Sequence, residues 1–182
     1  MTIREQRLTQ IQNVRLSKGS HPNLEAGACV MEMVAFVAGE PWTDKPQCAS
    51  PVLASYCRAL NDRMPDDQRQ RLIPFIPRLV GTRDDKKESD RAFLLADAAV
   101  RVFAPLALDS AKLPEQAAKL RALAPIKDKV SANAASHASA RAAAYYVAYE
   151  AAYEAAYAAA AAAAYATAWD EAIAALEKAL AI

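Results

Sequence analysis

The stretch 131–182 contains neither glycine nor proline and consists mostly of alanine. Alanine has the highest intrinsic helix propensity, and a run of this length extends far beyond the unfavourable nucleation turn. The stretch therefore predicts one uninterrupted C-terminal helix. Aromatic side chains recur along it at intervals of four or eight residues, at Tyr145, Tyr149, Tyr153, Tyr157, Tyr165 and Trp169.

This aromatic stripe predicts an interaction surface rather than a chemical site. An interval of four residues exceeds the 3.6-residue turn, so each ring lies about 40° further round the helix than the one before and no heptad seam forms. The alanines between the rings allow another helix to approach closely, and the phenol rings supply apolar area. Three arrangements stay open: packing on the chain's own helices, a helix-mediated homodimer or docking of another protein, and an exposed helix without a partner.

Proline and glycine divide the rest of the chain into shorter helical pieces. Ser50 as N-cap followed by Pro51 is a strong helix start, and Gly39 is a typical helix end. No segment alternates apolar and polar residues as a strand does. The predicted fold class is all-α, with a compact multi-helix domain over 1–125 and a long Ala/Tyr-rich helix over 126–182 that packs on this domain or on a partner. Within 1–125 we predict helices over 2–16, 24–38, 51–60, 65–73, 89–105 and 114–123.

The charge balance and the cysteine content exclude several classes of protein. A formal net charge of +1 in 182 residues gives no field strong enough to attract nucleic acid or an anionic membrane. The charge-free stretch 155–169 is shorter than the ~20 residues that a bilayer requires. The first twenty residues lack the apolar run of a secretory signal, and three cysteines without a CxxC pair fit reduced thiols. We expect a cytoplasmic protein with no nucleic-acid or membrane partner, and we assign no cofactor.

One carboxylate stands out in the predicted helix over 24–38. At helical spacing, Glu25, Cys29, Glu32 and Phe36 share a face, and the other residues of 26–38 are apolar or glycine. Burying Glu32 ionised and without a partner costs several kcal/mol. This side chain is therefore paired, protonated, bound to a metal or exposed to water.

Two interpretations of Glu32 require no catalysis. In the first, the carboxylate forms a buried ion pair or hydrogen bond with an arginine of a neighbouring helix, such as Arg58, Arg63 or Arg78. In the second, it belongs to a metal site, because carboxylate, thiolate and imidazole are ordinary ligands of zinc and other transition metals. The ligand set would then be His21, Glu25, Cys29 and Glu32.

A third interpretation makes the same region catalytic. Glu32 or Asp44 acts as a general acid or base beside Cys29 as nucleophile, in a pocket roofed by Trp42. A cysteine nucleophile normally requires a histidine base within hydrogen-bond reach. The chain contains two histidines, His21 and His137.

A longer motif set surrounds these candidates. The segments "CVMEMVAFVAGEPWTDKPQCASPVLASYCRALNDRMPDD" and "LIPFIPRLVGTR" resemble motifs of an uncharacterised family of bacterial and phage proteins, in which a similar core precedes an Ala-rich tail with recurrent tyrosines. The resemblance covers 19–83 and, more loosely, the tail. It implies a phage or prophage setting and no particular reaction. The matching residues are His21, Cys29, Glu32, Gly39, Glu40, Trp42, Asp44, Pro46, Cys48, Pro51, Asn61 and Asp62.

Two hypotheses of function follow, and the question whether the chain is an enzyme stays open. No dinucleotide, P-loop, zincin, nucleophile-elbow or EF-hand motif is present in the sequence. We favour a non-enzymatic accessory protein of phage type that acts through helix-mediated protein–protein interaction, with inhibition of a host defence system as one subtype by analogy. The alternative is a small metal- or thiol-dependent enzyme with a site around His21, Cys29, Glu32 and Asp44.

Overall fold

The computed structural model describes residues 5–11, 14–136 and 154–182, with side chains from 7–11, 14–136 and 167–182. These residues form helices and loops and contain no strand, which confirms the predicted all-α fold class. The α-helices with defined ends are α1 (Glu5–Ile11), α2 (Val30–Ala38), α3 (Pro51–Arg63), α4 (Asp66–Arg69), α5 (Ile76–Leu79), α6 (Glu88–Ala98), α7 (Ala104–Ser110), α8 (Pro114–Arg121) and α9 (Glu154–Leu180). Residues 129–136 are also helical.

Several helix ends lie where the sequence signals place them. The Ser50 hydroxyl accepts the Leu53 N–H at 3.1 Å, and Pro51 occupies the first turn of α3. Gly39 ends α2 in the left-handed region at φ 77°, where a residue without a Cβ is least strained. Pro114 opens α8 as predicted. These ends depend on short-range chemistry, which explains why the sequence alone predicts them.

The predicted continuous helix over 24–38 is wrong. A 3₁₀ turn covers Leu24–Ala26 with Asn23 as its cap, and Gly27 then leaves helical geometry at φ 130° and ψ 179°. A new helix, α2, begins at Val30. Glu25 therefore lies on a different element from Glu32, and the predicted common face of these two carboxylates does not exist.

A second helix boundary also differs from the prediction. The sequence suggests that the helix from 89 ends near Pro105, yet Pro105 lies in the first turn of α7 and is buried. A π-helical turn, Ala99–Phe103, connects α6 to α7. The Ala104 N–H bonds to the Ala99 carbonyl, five residues back, so the regular helical ladder is already interrupted where Pro105 lacks an N–H.

The chain divides into two compact units, and the first consists of Met1–Arg91 with Lys178–Ile182. Within it, α2 packs against α1, α3 and α5. Every residue of α2 except Phe36 is buried, including the charged Glu32. The guanidinium of Arg7 lies 4.6 Å from the centre of the Phe36 ring and donates to the Phe36 carbonyl at 2.6 Å.

The second unit is Ala92–Glu177. Its described core is built around Leu108, Ala117 and Leu120, with α7 packed against α8. The Asp97 carboxylate pairs with Arg101 one turn later at 3.2 Å and accepts the N–H of Ile126 at 2.9 Å. The predicted division into 1–125 and 126–182 depends on the segment 137–153, which lies outside the described residues, and it stays a prediction.

The C-terminal helix is present over the part that the structure describes. α9 has 27 residues and a length of about 40 Å. Four residues of its last turns are buried, Ala172, Ala175, Leu176 and Ala179, at the spacing of one helix face. Within the described ranges, no helix has both the length and the apolar character that crossing a bilayer requires.

The aromatic stripe is only partly visible. Tyr145, Tyr149 and Tyr153 lie outside the described residues, as do the side chains of Tyr157 and Tyr165. Trp169 is half-buried. The continuity of the helix across 137–153 therefore stays a prediction.

Candidate functional site

The carboxylate of Glu32 lies at the start of α2, where it has a structural task. Its Oε2 accepts the Cys29 N–H at 2.7 Å, while the Cys29 Sγ accepts the Glu32 N–H at 3.4 Å. This reciprocal pair is a capping box with a thiol in the place that serine or threonine usually takes. An anionic side chain in the first turn also interacts favourably with the helix dipole. A negative charge that is only 1% exposed is therefore stabilised where it lies.

The second partner of Glu32 is His21. Glu32 Oε1 accepts the main-chain N–H of His21 at 2.5 Å, and Oε2 lies 2.9 Å from the imidazole Nδ1. The predicted pairing of Glu32 with Arg58, Arg63 or Arg78 is wrong, because the carboxylate bonds to His21 and to the Cys29 N–H instead. A carboxylate can only accept, so the hydrogen-bond network assigns the imidazole proton to Nδ1 and leaves Nε2 of the neutral ring as an acceptor.

A serine that the sequence did not suggest completes this arrangement. The Ser17 Oγ lies 2.9 Å from His21 Nε2, on the side of the ring opposite Glu32. The Ser17 hydroxyl can donate to this nitrogen or to the Ala28 carbonyl, which is further away at 3.4 Å. Ser17, His21 and Glu32 thus form a continuous chain of side-chain hydrogen bonds from a half-buried hydroxyl to a buried carboxylate. We call these three residues the Ser17 triad.

The main chain of Ser17 is fixed on both sides. Its N–H donates to the Ala28 carbonyl at 2.8 Å, and its carbonyl accepts from Asn61 Nδ2 at 2.9 Å. The Ala28 N–H in turn donates to Ser17 Oγ at 3.2 Å. Asn61 is fully buried, and its Oδ1 accepts the Val30 N–H at 3.1 Å, so the same side chain holds Ser17 and the first residue of α2.

Gly27 and Trp42 hold His21 from two further sides. A Cβ at Gly27 would lie 2.6 Å from His21 Cδ2 and 2.8 Å from both His21 Nε2 and Ser17 Oγ. Only a glycine allows the main chain to approach the Ser17–His21 hydrogen bond this closely. On the other side, the Trp42 indole Nε1 donates to the His21 carbonyl at 2.7 Å. Trp42 therefore does not cover a pocket beside Cys29, as predicted, but binds the main chain of His21 through this hydrogen bond.

A surface cavity of about 530 Å³ opens beside the triad serine. Its volume is in the range of ligand pockets for small molecules. Two oppositely charged residues of its wall, Asp66 and Arg69, pair with each other at 2.6 Å. The cavity is lined by Arg15, Leu16, Ser17, Lys18, Leu24, Glu25, Ala26, Gly27, Asp66 and Arg69.

The thiol expected to act as nucleophile is not activated. Burial raises the pKa of Cys29 from 9.0 to about 12, and the neighbouring Glu32 carboxylate adds to the rise. The thiolate, and not the neutral thiol, is the nucleophile in cysteine catalysis. Cys29 therefore serves as a helix cap. A thiol-dependent enzyme with Cys29 as its nucleophile is not supported.

The other predicted site residues are not brought together. Glu25 is exposed on the 3₁₀ turn, and Asp44 lies 4.0 Å from the Arg58 guanidinium, which also donates to the Asp44 carbonyl. In the parts of the chain that the structure describes, no group of three or more histidine, cysteine or acidic residues could hold a metal ion. The four-ligand set predicted for a metal is therefore not assembled.

Comparison with protein-family models, with curated proteins and with solved structures finds no match for this chain. The sequence identified two of the three members of the Ser17 triad, His21 and Glu32, but not Ser17. Serine and histidine four residues apart in a loop carry no recognisable signal, because catalytic triads are defined by spatial arrangement and not by spacing.

Proposed function

We propose that the chain is an acyl-transfer enzyme of the hydrolase type, with Ser17 as nucleophile, His21 as general base and Glu32 as the residue that orients the imidazole. The observation that carries the proposal is the pair of 2.9 Å contacts on the two nitrogens of one imidazole ring. A nucleophile in contact with a base, and a base in contact with a buried carboxylate, are two of the geometric requirements of such a site.

The chemical step follows from the assigned protons. Ser17 Oγ attacks the carbonyl carbon of an ester while its proton passes to His21 Nε2, and Glu32 stabilises the imidazolium that forms. His21 then gives this proton to the departing alcohol, which leaves an acyl group on Ser17. A water molecule hydrolyses that ester, using His21 once more as base, and the free hydroxyl of Ser17 is restored.

Two further features support this assignment. Ser17 is one of the residues that line the 530 Å³ cavity, so space for a small substrate lies next to this residue. The Ala28 N–H donates to Ser17 Oγ at 3.2 Å and so fixes the position of the nucleophilic oxygen.

A covalent serine probe tests the proposal directly. The full-length chain is incubated with a fluorophosphonate probe, and the modified peptide is identified by mass spectrometry. We expect one phosphonyl group per chain, on Ser17, together with hydrolysis of a short-chain p-nitrophenyl ester. The variants Ser17→Ala and His21→Gln should lose both the labelling and the hydrolysis.

Ser20 provides the matched control, because it is an exposed serine three residues from Ser17. Ser20→Ala should be labelled and should hydrolyse the ester at the rate of the unaltered chain. Circular dichroism melting establishes that each variant is folded. Absence of both labelling and hydrolysis in the folded, unaltered chain would overturn the proposal, and so would labelling that persists in Ser17→Ala.

The C-terminal helix supports a second, independent function, the protein–protein interaction predicted from the aromatic stripe. We propose that a second copy of the chain docks on this stripe. The supporting observation is that α9 is helical over 27 residues, so its alanines and tyrosines share the regular spacing that helix packing requires. A phage or prophage setting and inhibition of a host defence system stay predictions.

Solution mass tests this second function. Sedimentation equilibrium of the full chain should give twice the monomer mass of 19.6 kDa. Replacement of Tyr149, Tyr153 and Tyr157 by alanine removes the aromatic area but keeps a good helix former, so it should shift the mass to that of the monomer. The replacement of Tyr56, which lies in α3, by phenylalanine serves as the control. A monomer for the unaltered chain would contradict the proposal.

A further inference from the structure

We infer that Trp42 is a positioning residue for the histidine of the Ser17 triad. This inference rests on the proposed function, because it concerns how the base of that reaction is held. Trp42 lies in the loop that follows α2, and its indole N–H donates to the His21 carbonyl at 2.7 Å. It contacts neither Ser17 nor Glu32 through a hydrogen bond, so its effect on the reaction passes through His21.

Four hydrogen bonds fix His21, and one of them is the contact of Ser17 Oγ with the ring Nε2. Glu32 binds the His21 main-chain N–H and the ring Nδ1, at 2.5 and 2.9 Å. Both of these bonds involve the same carboxylate group, which leaves the carbonyl end of His21 to be fixed by another element. Trp42 supplies that contact. Pro22 follows His21 immediately and has no N–H, so the next residue along the chain cannot contribute a main-chain donor.

The position of the ring tolerates little displacement. Gly27 lies against His21 Cδ2 and Nε2 so closely that even a methyl group would not fit between them. A shift of the His21 main chain therefore either lengthens the 2.9 Å contact to Ser17 or forces the ring against Gly27. Displacements of about 1 Å in catalytic groups lower rates by one or two orders of magnitude. The Trp42 N–H restricts this displacement.

The variant Trp42→Phe removes the N–H donor and retains an aromatic ring. We expect kcat for ester hydrolysis to fall about tenfold while KM stays constant, because one neutral hydrogen bond that orients the base is lost and the substrate cavity is untouched. Thr43→Val is the matched control, because it removes one hydrogen bond from the same loop, and that bond runs to the Lys45 N–H and not to His21. This control should leave both constants unchanged.

Proton NMR provides a readout that does not depend on turnover. A ring N–H bonded to a buried carboxylate is deshielded and protected from solvent exchange, so His21 Nδ1–H should give a resolved low-field signal. The chain has two histidines, and His137→Gln identifies which signal belongs to His21. In Trp42→Phe this signal should shift or broaden, whereas in Thr43→Val it should stay in place.

The outcomes separate the inference from the proposed function. If Trp42→Phe keeps both the His21 signal and kcat, Trp42 does not position the histidine and the inference is overturned. If kcat falls while the signal is unchanged, Trp42 acts by another route and the inference is again overturned. If the unaltered chain neither reacts with the serine probe nor hydrolyses the ester, the proposed function fails, and with it the role of Trp42 in catalysis.

Discussion

Glu32 binds His21 through both of its carboxylate oxygens, one on the main-chain N–H and the other on the imidazole Nδ1. The same Glu32 also caps α2 through the Cys29 N–H. The buried carboxylate of Glu32 therefore binds the loop at the His21 N–H, caps the first turn of α2 and orients the imidazole ring. The buried carboxylate at Glu32 is explained by these three bonds without an arginine or a metal.

Replacement of Glu32 should destabilise the fold strongly. Glu32→Gln keeps the shape but has one oxygen in place of two, so the amide cannot accept all three hydrogen bonds. We expect the free energy of unfolding to fall by about 2–4 kcal/mol, because buried donors lose a charged partner. Urea denaturation followed by circular dichroism measures the change. Glu25→Gln, at an exposed site, should stay within about 0.5 kcal/mol of the unaltered chain.

Asn61 should be a second residue on which the site depends. It is fully buried, accepts the Val30 N–H and donates to the Ser17 carbonyl. Asn61→Ala leaves both main-chain groups without a partner, and we expect a loss of about 2–3 kcal/mol. Asn23→Ala, which removes only an exposed cap of the 3₁₀ turn, should cost about 1 kcal/mol. Equal losses in the two variants would contradict the role assigned to Asn61.

The glycines near the site should differ in their tolerance of a methyl group. Gly27→Ala places a Cβ 2.6 Å from the His21 ring, and the main chain there cannot move freely because Ala28 is bonded to Ser17. We expect a loss of about 3 kcal/mol and a loss of labelling by the serine probe. At Gly19, which also has positive φ but open space around it, alanine should cost about 1 kcal/mol and leave labelling intact.

Alkaline pH should destabilise the folded chain through its buried thiols. Burial raises the pKa of Cys29 and of Cys57 from 9.0 to about 12. Above pH 9 the unfolded chain releases these protons and the folded chain keeps them, so the free energy of unfolding decreases as pH rises. Each thiol contributes a slope of about 1.4 kcal/mol per pH unit over this interval. Below pH 9 the two thiols are protonated in both the folded and the unfolded chain, so they contribute no pH dependence to the free energy of unfolding.

Urea denaturation at several values from about pH 8 to about pH 11 measures this slope. Cys57→Ala should remove its share of the slope, even though it also lowers the stability at neutral pH by leaving a cavity. A comparison of slopes, rather than of absolute stabilities, isolates the titration. Parallel curves for the unaltered chain and for Cys57→Ala would contradict the assignment.

Part of the fold could be predicted because it depends on short-range chemistry. Ser50 with Pro51, Gly39 and Pro114 each act within one or two turns, and each marks a helix end where the structure has one. The prediction that a helix continues through Gly27 is wrong because it, too, considered only short-range chemistry. Within an apolar stretch a glycine is compatible with a continuous helix, and only the packing of His21 and Ser17 against it shows why the chain breaks there.

The site could be predicted only in part. The apolar surroundings of Glu32 indicated that its charge needs a partner, and that inference is correct. The choice of partner depended on a loop whose path is set by contacts distant in sequence, such as the bond from Asn61 to Ser17 across 44 residues. Local propensity contains no information about such a contact. The predicted arginine partner was therefore wrong, and Ser17 was missed.

The amino-acid sequence by itself determined that the described part of this chain is helical, where several of its helices begin and end, and that Glu32 requires a partner. These properties follow from propensities, caps and the cost of burying a charge. Only the tertiary structure decided that the partner is His21 and that Ser17 lies on the other side of the ring. The physical reason is that loops take their conformation from the hydrogen bonds that the rest of the fold offers them, and not from their own sequence.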